Sequence, residues 1–466
     1  MGSHDDTRAA AEAITAAESI TIVSHIDADG IASEAILSQA ISRLEIPHRS
    51  VFVRQLEPLT MPQVPDDASF KIFADLGAGQ QNLLAARNLP ESGVLILDHH
   101  VSQPCEREYR QVNCLAWGET KMSAAGVAYL VTKELDPANT DLAKTAIVGN
   151  VGDMMARETC GLTGLVRSVI VPDGERHRNV EVRKKDLNCY GTATRPVYLS
   201  LAFNDDPFIR GITNSPEGAK QFLRRLNVKQ QTADGRWLVW DELLQEDKKK
   251  ITSALMEQLI ANGEPTHRLL AETYAFPDEP VRTPLRNAQE YATVLNACGR
   301  WAKPQTGSAL LKGDRGGAYR DAEHMLNNHR AIIRDLLNHI VANGVKVLDA
   351  VQYIHVGDKY PDTIVGIGAG MALSKLDPAK PILIMCTVPE DPNLTKVSMR
   401  TTERVVARGI DLQKALSDAS AEYGGGGGGH KIAAGAYIPK TAEEEFVIRV
   451  NTILREQSRA ACADHR

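Results

Sequence analysis

Cysteine is scarce in this chain of 466 residues: seven are scattered at positions 105, 114, 160, 189, 298, 386 and 462, and none is spaced as CxxC. An odd, dispersed set excludes a zinc ribbon and a disulfide framework and points to a reducing, cytoplasmic setting. Long apolar runs are lacking too. None reaches the roughly 18–20 residues of a membrane span, so no membrane partner is expected. The start, Met1-Gly2-Ser3-His4-Asp5-Asp6, does not join a basic stretch to an apolar one as a secretory signal does. It has the look of a cloning remnant and is left out of the fold reading. Positive charge is not in excess, the net charge being −6. A protein that grips duplex DNA by charge alone is basic, so extensive non-specific duplex binding is excluded and only a local basic groove stays open.

What is present is enough for two to three domains with cores, 43% of residues being hydrophobic and 24% charged. The first third alternates strands and helices. Ser19–Ser24 is a short β-branched run that ends in His25-Ile26-Asp27-Ala28-Asp29-Gly30, and Leu37, Ala40, Ile41 and Leu44 then follow helical spacing. Further strands are expected at 50–54, at 70–74 before Asp75, and at 93–97 before Asp98-His99-His100; a helix over 140–151 delivers Gly152-Asp153. Such alternation predicts a parallel sheet flanked by helices, with its ligand site beyond the carboxyl ends of the strands. The middle, about 190–340, is polar and helical, over 241–262 and 317–343. From about 344 the α/β pattern returns, with strands at 350–356, 381–388 and 395–400 and helices at 365–376 and 411–423. The expected class is α/β: a parallel-sheet domain over 1–190, a helical insertion with a connecting helix over 191–343, a smaller α/β domain over 344–466, and an active-site cleft between the two α/β domains.

The polar residues at the strand ends carry the chemistry. On an extended chain, side chains two apart point the same way, so HxDxDG aims His25, Asp27 and Asp29 into one crevice. Alone, the same residues also read as a polar turn before a helix, with Asp29 as its cap. Asp75, Asp98-His99-His100 and Asp153 shift the balance, because they would bring five carboxylates to one place. Two charges about 4 Å apart repel by roughly 4 kcal/mol at an effective dielectric near 20. Five cannot stay ionised together without cations or large pKa rises. Oxygen and imidazole ligands without cysteine suit Mn²⁺, with Mg²⁺ as the alternative, and a pair of cations is a known solution for phosphoryl hydrolysis.

HxDxDG, the strand-terminal Asp75, Asp98-His99-His100 and the distant Gly152-Asp153 resemble the four ordered motifs of the DHH phosphoesterase superfamily. GGGGGHKIAAG at 425–435 resembles the signature of the domain that follows DHH in its nuclease branch. Arg286-Asn287-Ala288-Gln289-Glu290 and NACGR at 296–300, together with the overall length, resemble the archaeal RecJ-like, or GINS-associated, exonucleases. The resemblance implies that His25, Asp27 and Asp75 hold one metal and that Asp29, Asp75, His99 and Asp153 hold the other, with Asp75 bridging. It also implies that Asp98 orients His99, and that His100 faces the scissile phosphate.

Other residues have two readings each. Six glycines, Gly424–Gly429, look like a flexible linker, yet His430 follows within an α/β pattern, and bare backbone such as Gly427, Gly428 and Gly429 can approach a phosphate. Ser398 and Arg400 share one face of a strand; they contact the nucleic-acid backbone by resemblance, or form the exposed side of an edge strand. Arg300 either clamps a phosphate bidentately or closes a helix in a salt bridge. The basic stretches 176–178 and 183–185 read as a solvated face rather than a path for a single strand, Lys248–Lys250 as a polar helix face, and Trp237 and Trp240 as packing of the middle domain rather than stacking platforms.

The implied function is a two-metal phosphodiesterase acting as a single-strand-specific exonuclease on DNA or RNA. It would release mononucleotides, in archaeal replication, repair or RNA turnover. Two alternatives stand beside it: a phosphodiesterase of short oligonucleotides or cyclic dinucleotides, which the long middle segment disfavours, and a replisome scaffold that docks GINS and the helicase. Complete metal positions argue that this chain keeps catalysis.

Overall fold

The computed structural model describes residues 3–58, 60–388 and 391–463, so Met1 and Gly2 lie outside it. The chain divides into two compact units, residues 1–325 and 326–466. Unit 1 is built on a five-stranded, wholly parallel sheet of β1 (Ile20–His25), β2 (His48–Val53), β3 (Phe70–Ala74), β4 (Val94–Asp98) and β5 (Arg110–Asn113), in the order β2-β1-β3-β4-β5. β1, β3 and β4 are buried almost throughout, as parallel strands covered on both faces must be. Helices α1 (Ser3–Thr15), α2 (Ala28–Arg43), α3 (Gln81–Ala86), α4 (Ala124–Leu135) and α5 (Ala143–Gly152) belong to this part, and α2, α4 and α5 pack on one another. Val23, Phe73 and Ile96 form a core with Leu76 and Leu84. The strand order reverses beside β1, where α/β sheets open a crevice at the strands' carboxyl ends.

Two features depart from the sequence reading. Ser3 to Asp6, set aside as a remnant, form the first turn of α1; Ala10, Ala11 and Ile14 of that helix are buried, and Asp6 accepts from the Trp117 indole at 2.8 Å. β5, unmarked by a long apolar run, closes the sheet's edge.

The rest of unit 1 holds α6 (Val171–Arg176), a two-stranded antiparallel ribbon of β6 (Glu181–Leu187) with β7 (Leu270–Ala275), and helices α7 (Val197–Ala202), α8 (Pro216–Arg225) and α9 (Gln245–Ala261). Leu201, Phe222, Leu255 and the buried Trp240 make its separate core. Trp240 is thus a packing residue, and Trp237 packs against Tyr198 with ring centroids 4.7 Å apart and the rings tilted by 56°. Next, α10 (Ala288–Arg300) and α11 (Pro304–Leu311) return to pack on α2, and α10 also meets α5. The long α12 (Gly317–Asn343) carries the chain into unit 2.

Unit 2 has six strands: β8 (Lys346–Val347), β9 (Gln352–His355), β10 (Ile382–Val388), β11 (Asp391–Arg400), β12 (Gly426–Gly429) and β13 (Ala433–Pro439), in the order β12-β13-β11-β10-β9-β8. Only β9 and β10 run parallel. Alternation along β10 separates two cores. Ile382, Ile384 and Cys386 meet α12 and α13 (Asp362–Ala372), and Leu383 and Met385 meet α15 (Leu412–Glu422) and α16 (Glu443–Ala463); a short α14 (Glu403–Val406) lies between β11 and α15.

Candidate metal centre

His25 is the last residue of β1, and the chain does not stay extended beyond it as the spacing suggested. Asp27, not Asp29, caps α2: its carboxylate accepts the N–H groups of Asp29 and Gly30 at 3.1 and 3.0 Å. Asp29 therefore sits in the first turn of the helix and is buried. This turn folds so closely over the strand end that a Cβ at Gly30 would lie 2.3 Å from the His25 carbonyl oxygen, which only glycine permits. Asp75, one residue past β3, has a left-handed backbone (φ 61°) and donates its N–H to Leu97. Asp98 ends β4, with His99 and His100 in the loop beyond it. Asp153 is the C-terminal cap of α5.

These five segments meet at one place. His25 Nδ1 lies 3.2 Å from Asp27 and 3.1 Å from Asp75. His99 Nε2 lies 3.3 Å from Asp75, 3.4 Å from Asp153 and 3.9 Å from Asp29. Asp75 is the residue common to both halves. Two triads, His25–Asp27–Asp75 and Asp29–His99–Asp153, each bring their ligand atoms within 4.8 Å of one another. Asp98 acts differently from expectation: one of its oxygens takes the backbone N–H groups of His99 and His100 and the Nδ1 of the His100 ring at 2.8 Å, and the other takes Ala78 N–H. It fixes the ring of His100, not that of His99.

The electrostatics are those of crowded carboxylates. Burial, with Asp27 and Asp29 nearby, raises Asp75 well above the carboxylate range, and burial with Asp29 pushes Asp153 up to about 8. Burial also raises Asp29, although Ser123 and a helix N–H oppose the rise. Burial works against charge on His25, but Asp27 and Asp75 outweigh it and raise the imidazole; contact with His25 in turn holds Asp27 below its ordinary value. The hydrogen bond to Asp98 raises His100. His99 Nε2 is buried, surrounded by carboxylates, and in hydrogen-bonding alignment with none of them. Orphaned buried nitrogen and mutually repelling carboxylates fit a site for divalent cations: oxygen and imidazole donors are present and no thiolate.

Supporting residues come from parts of the chain that the motifs did not mark. Asp29 accepts from the Ser123 hydroxyl at 2.6 Å and from the N–H groups of Ala124 and Ala125, at the start of α4. Asn296 on α10 accepts the N–H of Ala28, and a Cβ at Gly299 would fall 1.7 Å from the Ile26 carbonyl oxygen. The NACGR segment thus buttresses the 25–29 loop, and Arg300 follows, half-buried, as the last residue of α10.

The other residues singled out from sequence lie in unit 2 or on the surface. Ser398 and Arg400 share a face of β11, beside Gly366 of α13; β11 lies between β10 and β13, so it is an interior strand and not an edge. Arg400 donates to the Met399 carbonyl at 2.8 Å, and burial lowers its pKa. Gly427, Gly428 and Gly429 belong to β12, the edge strand paired with β13, and are not a flexible linker; the exposed His430 follows in the turn. Arg176 pairs with Asp173 and Arg183 with Asp241 and Glu181, so both serve framework ion pairs.

Three family descriptions match in chain order: the DHH family N-terminal domain over residues 19–150, the DHH-CID domain over 189–271 and the DHHA1 domain over 348–456. The chain belongs to the DHH phosphoesterase superfamily. An uncharacterised protein from Methanocaldococcus jannaschii is 27% identical over 455 residues, covering 94% of each chain. In fold, this DHH protein is similar to the RecJ from Thermus thermophilus crystallised with Mn²⁺ (TM-score 0.59, 17% identity, 98% of this chain), and it spans about half, 55%, of that RecJ. It is likewise similar to CDC45 from Entamoeba histolytica, with TM-score 0.61 and 11% identity over 94% of this chain and 95% of that one. It is a DHH-family phosphoesterase with a RecJ-like fold.

Proposed function

We propose that this chain is a single-strand-specific exonuclease that hydrolyses terminal phosphodiesters of DNA or RNA with two divalent cations, Mn²⁺ in preference to Mg²⁺, and releases mononucleotides in archaeal replication, repair or RNA turnover. The observation that carries the reading is the intact ligand set. His25, Asp27 and Asp75 would hold one cation, and Asp29, His99 and Asp153, with Asp75 shared, the other. So many crowded acids cost stability unless cations neutralise them. The similarity to RecJ structures holding Mn²⁺ or Mg²⁺ supports divalent cations at this site.

When bound, the cations supply an acidified water and neutralise charge developing on phosphorus. The chain's own residues do the rest. Asp98 holds His100 through Nδ1, which leaves Nε2 of this half-exposed ring to donate to a phosphoryl or leaving oxygen. Arg300 would clamp a backbone phosphate. Ser398, Arg400, Gly427, Gly428, Gly429 and His430 would hold the strand in the second unit, where β12 offers backbone free of side chains.

A second reading is favoured by one observation, the likeness to CDC45 along nearly the whole chain: a platform that docks GINS and the replicative helicase. Hydrolysis of end-labelled single-stranded DNA and RNA with added Mn²⁺ separates the two. The exonuclease reading expects mononucleotides from the parent and a loss of about 10³-fold or more in Asp75→Ala, consistent with removal of a group central to transition-state charge stabilisation. Equal, negligible turnover in both proteins would leave the platform.

A further inference from the structure

The two halves of the metal centre are not built alike. In the half formed by His25 and Asp27, these side chains are 30% and 37% exposed, and His25 Nδ1 is already engaged by the Asp27 and Asp75 carboxylates. A cation entering there must displace an existing internal contact. In the other half, Asp29 and His99 are 1% and 11% exposed, Asp153 alone reaching 30%, and His99 Nε2, 3.3 Å from Asp75 and 3.4 Å from Asp153, has no aligned hydrogen bond to give up.

Asp29 is also held by three hydrogen bonds from the start of α4. One of its oxygens takes the Ser123 hydroxyl at 2.6 Å and Ala125 N–H at 2.9 Å; the other takes Ala124 N–H at 2.8 Å and faces His99. Ser123 starts α4, yet its hydroxyl caps nothing in that helix and points to Asp29 instead. Its own N–H is fixed by Asn150 Oδ1 at 2.9 Å, and Asn150 is anchored to the Ala146 carbonyl in α5. The buried pair Asn150–Ser123 therefore sets the carboxylate of Asp29 from both helices that flank it.

We propose that Ser123, held by Asn150, is a positioning residue that makes the Asp29–His99–Asp153 site the tighter of two unequal cation sites. The inference rests on the metal-centre part of the reading above. It needs no assumption about the substrate. A preset carboxylate and a waiting imidazole lose little freedom when the ion arrives, and partners that orient ligands shift metal affinity by about 10–100-fold.

The test is titration of the chelator-stripped full chain with MnCl₂ by calorimetry, with free Mn²⁺ followed by electron paramagnetic resonance. The parent should bind two cations in distinct classes. Ser123→Ala should weaken the tighter class by about 10–100-fold and leave the weaker one in place; Ser123→Thr, which keeps the hydroxyl, should restore it. Asp27→Asn should weaken the other class alone, and this arm stands even if Ser123→Ala does not fold when melted in excess chelator. Two equivalent sites in the parent, or equal weakening of both classes in Ser123→Ala, would overturn the proposal. A chain that binds two unequal cations and cuts no strand would sink the exonuclease reading and leave this one intact.

Discussion

Asp98 and Glu279 show how single buried carboxylates differ in role. Asp98 gives both oxygens to the loop of His99 and His100 and to Ala78, so its removal frees the His100 ring without touching a ligand oxygen. Asp98→Asn should lower kcat about 10–100-fold while Mn²⁺ affinity changes far less, checked by steady-state hydrolysis beside a metal titration. Glu279 is buried and accepts from Lys144 at 2.6 Å and from Arg315 at 2.9 Å; burial opposes its charge, but these cations hold its pKa below the ordinary glutamate value. A lowered folded-state pKa stabilises above the unfolded value of about 4.3 and fades as pH falls through the folded one. Glu279→Gln should therefore cost about 1–3 kcal/mol near neutral pH, because it removes the charge that Lys144 and the part-exposed Arg315 share, while Lys144 keeps Asp278. In urea denaturation that gap to the parent should narrow below about pH 4.

Among the elements, the strand ends were the most legible part of the sequence. Those of β1, β3 and β4 switch abruptly from apolar residues to Asp or His, and that switch is what the carboxyl edge of a parallel sheet looks like. β12 was illegible as a strand because glycine disfavours extended structure unless a neighbour supplies the register, and here β13 supplies it across Gly426 to Gly429. The two faces of β12 differ. A Cβ on Gly427 would fall 2.8 Å from the Leu416 carbonyl oxygen, whereas one on Gly428 would meet nothing within 4 Å. Gly427→Ala should lower the melting temperature, by overpacking worth about 1–3 kcal/mol. Gly428→Ala should leave melting unchanged, so any loss of strand binding in that variant belongs to contact with the substrate. Likewise, Gly299→Ala should expel the 25–29 loop from its seat and reduce Mn²⁺ uptake in a titration, although residue 299 carries no ligand.

At the scale of the molecule, the order of the domains and the parallel sheet followed from pattern and motif, while the supports did not. Ser123, Asn150 and Asn296 are ordinary polar residues in sequence; only the packing of α4, α5 and α10 against α2 gives them partners more than 90 positions away or on the adjoining helix. The turn from extended chain to helix at Asp27 was hidden for a related reason, since the cap depends on which of two aspartates the strand end leaves free.

One of those long-range contacts ties folding to chemistry. Because Asp29 receives the first N–H groups of α4, a helix that follows nearly 100 residues later, it closes that helix from outside while lining the candidate metal centre. A selection that scored only soluble expression, blind to hydrolytic turnover, would still reject Asp29→Ala. It would accept Asp75→Asn, which relieves repulsion, keeps a side chain suited to the left-handed backbone at φ 61° and opens no helix end. A lineage that drifted away from hydrolysis would thus shed the acid at 75 readily and keep the one at 29.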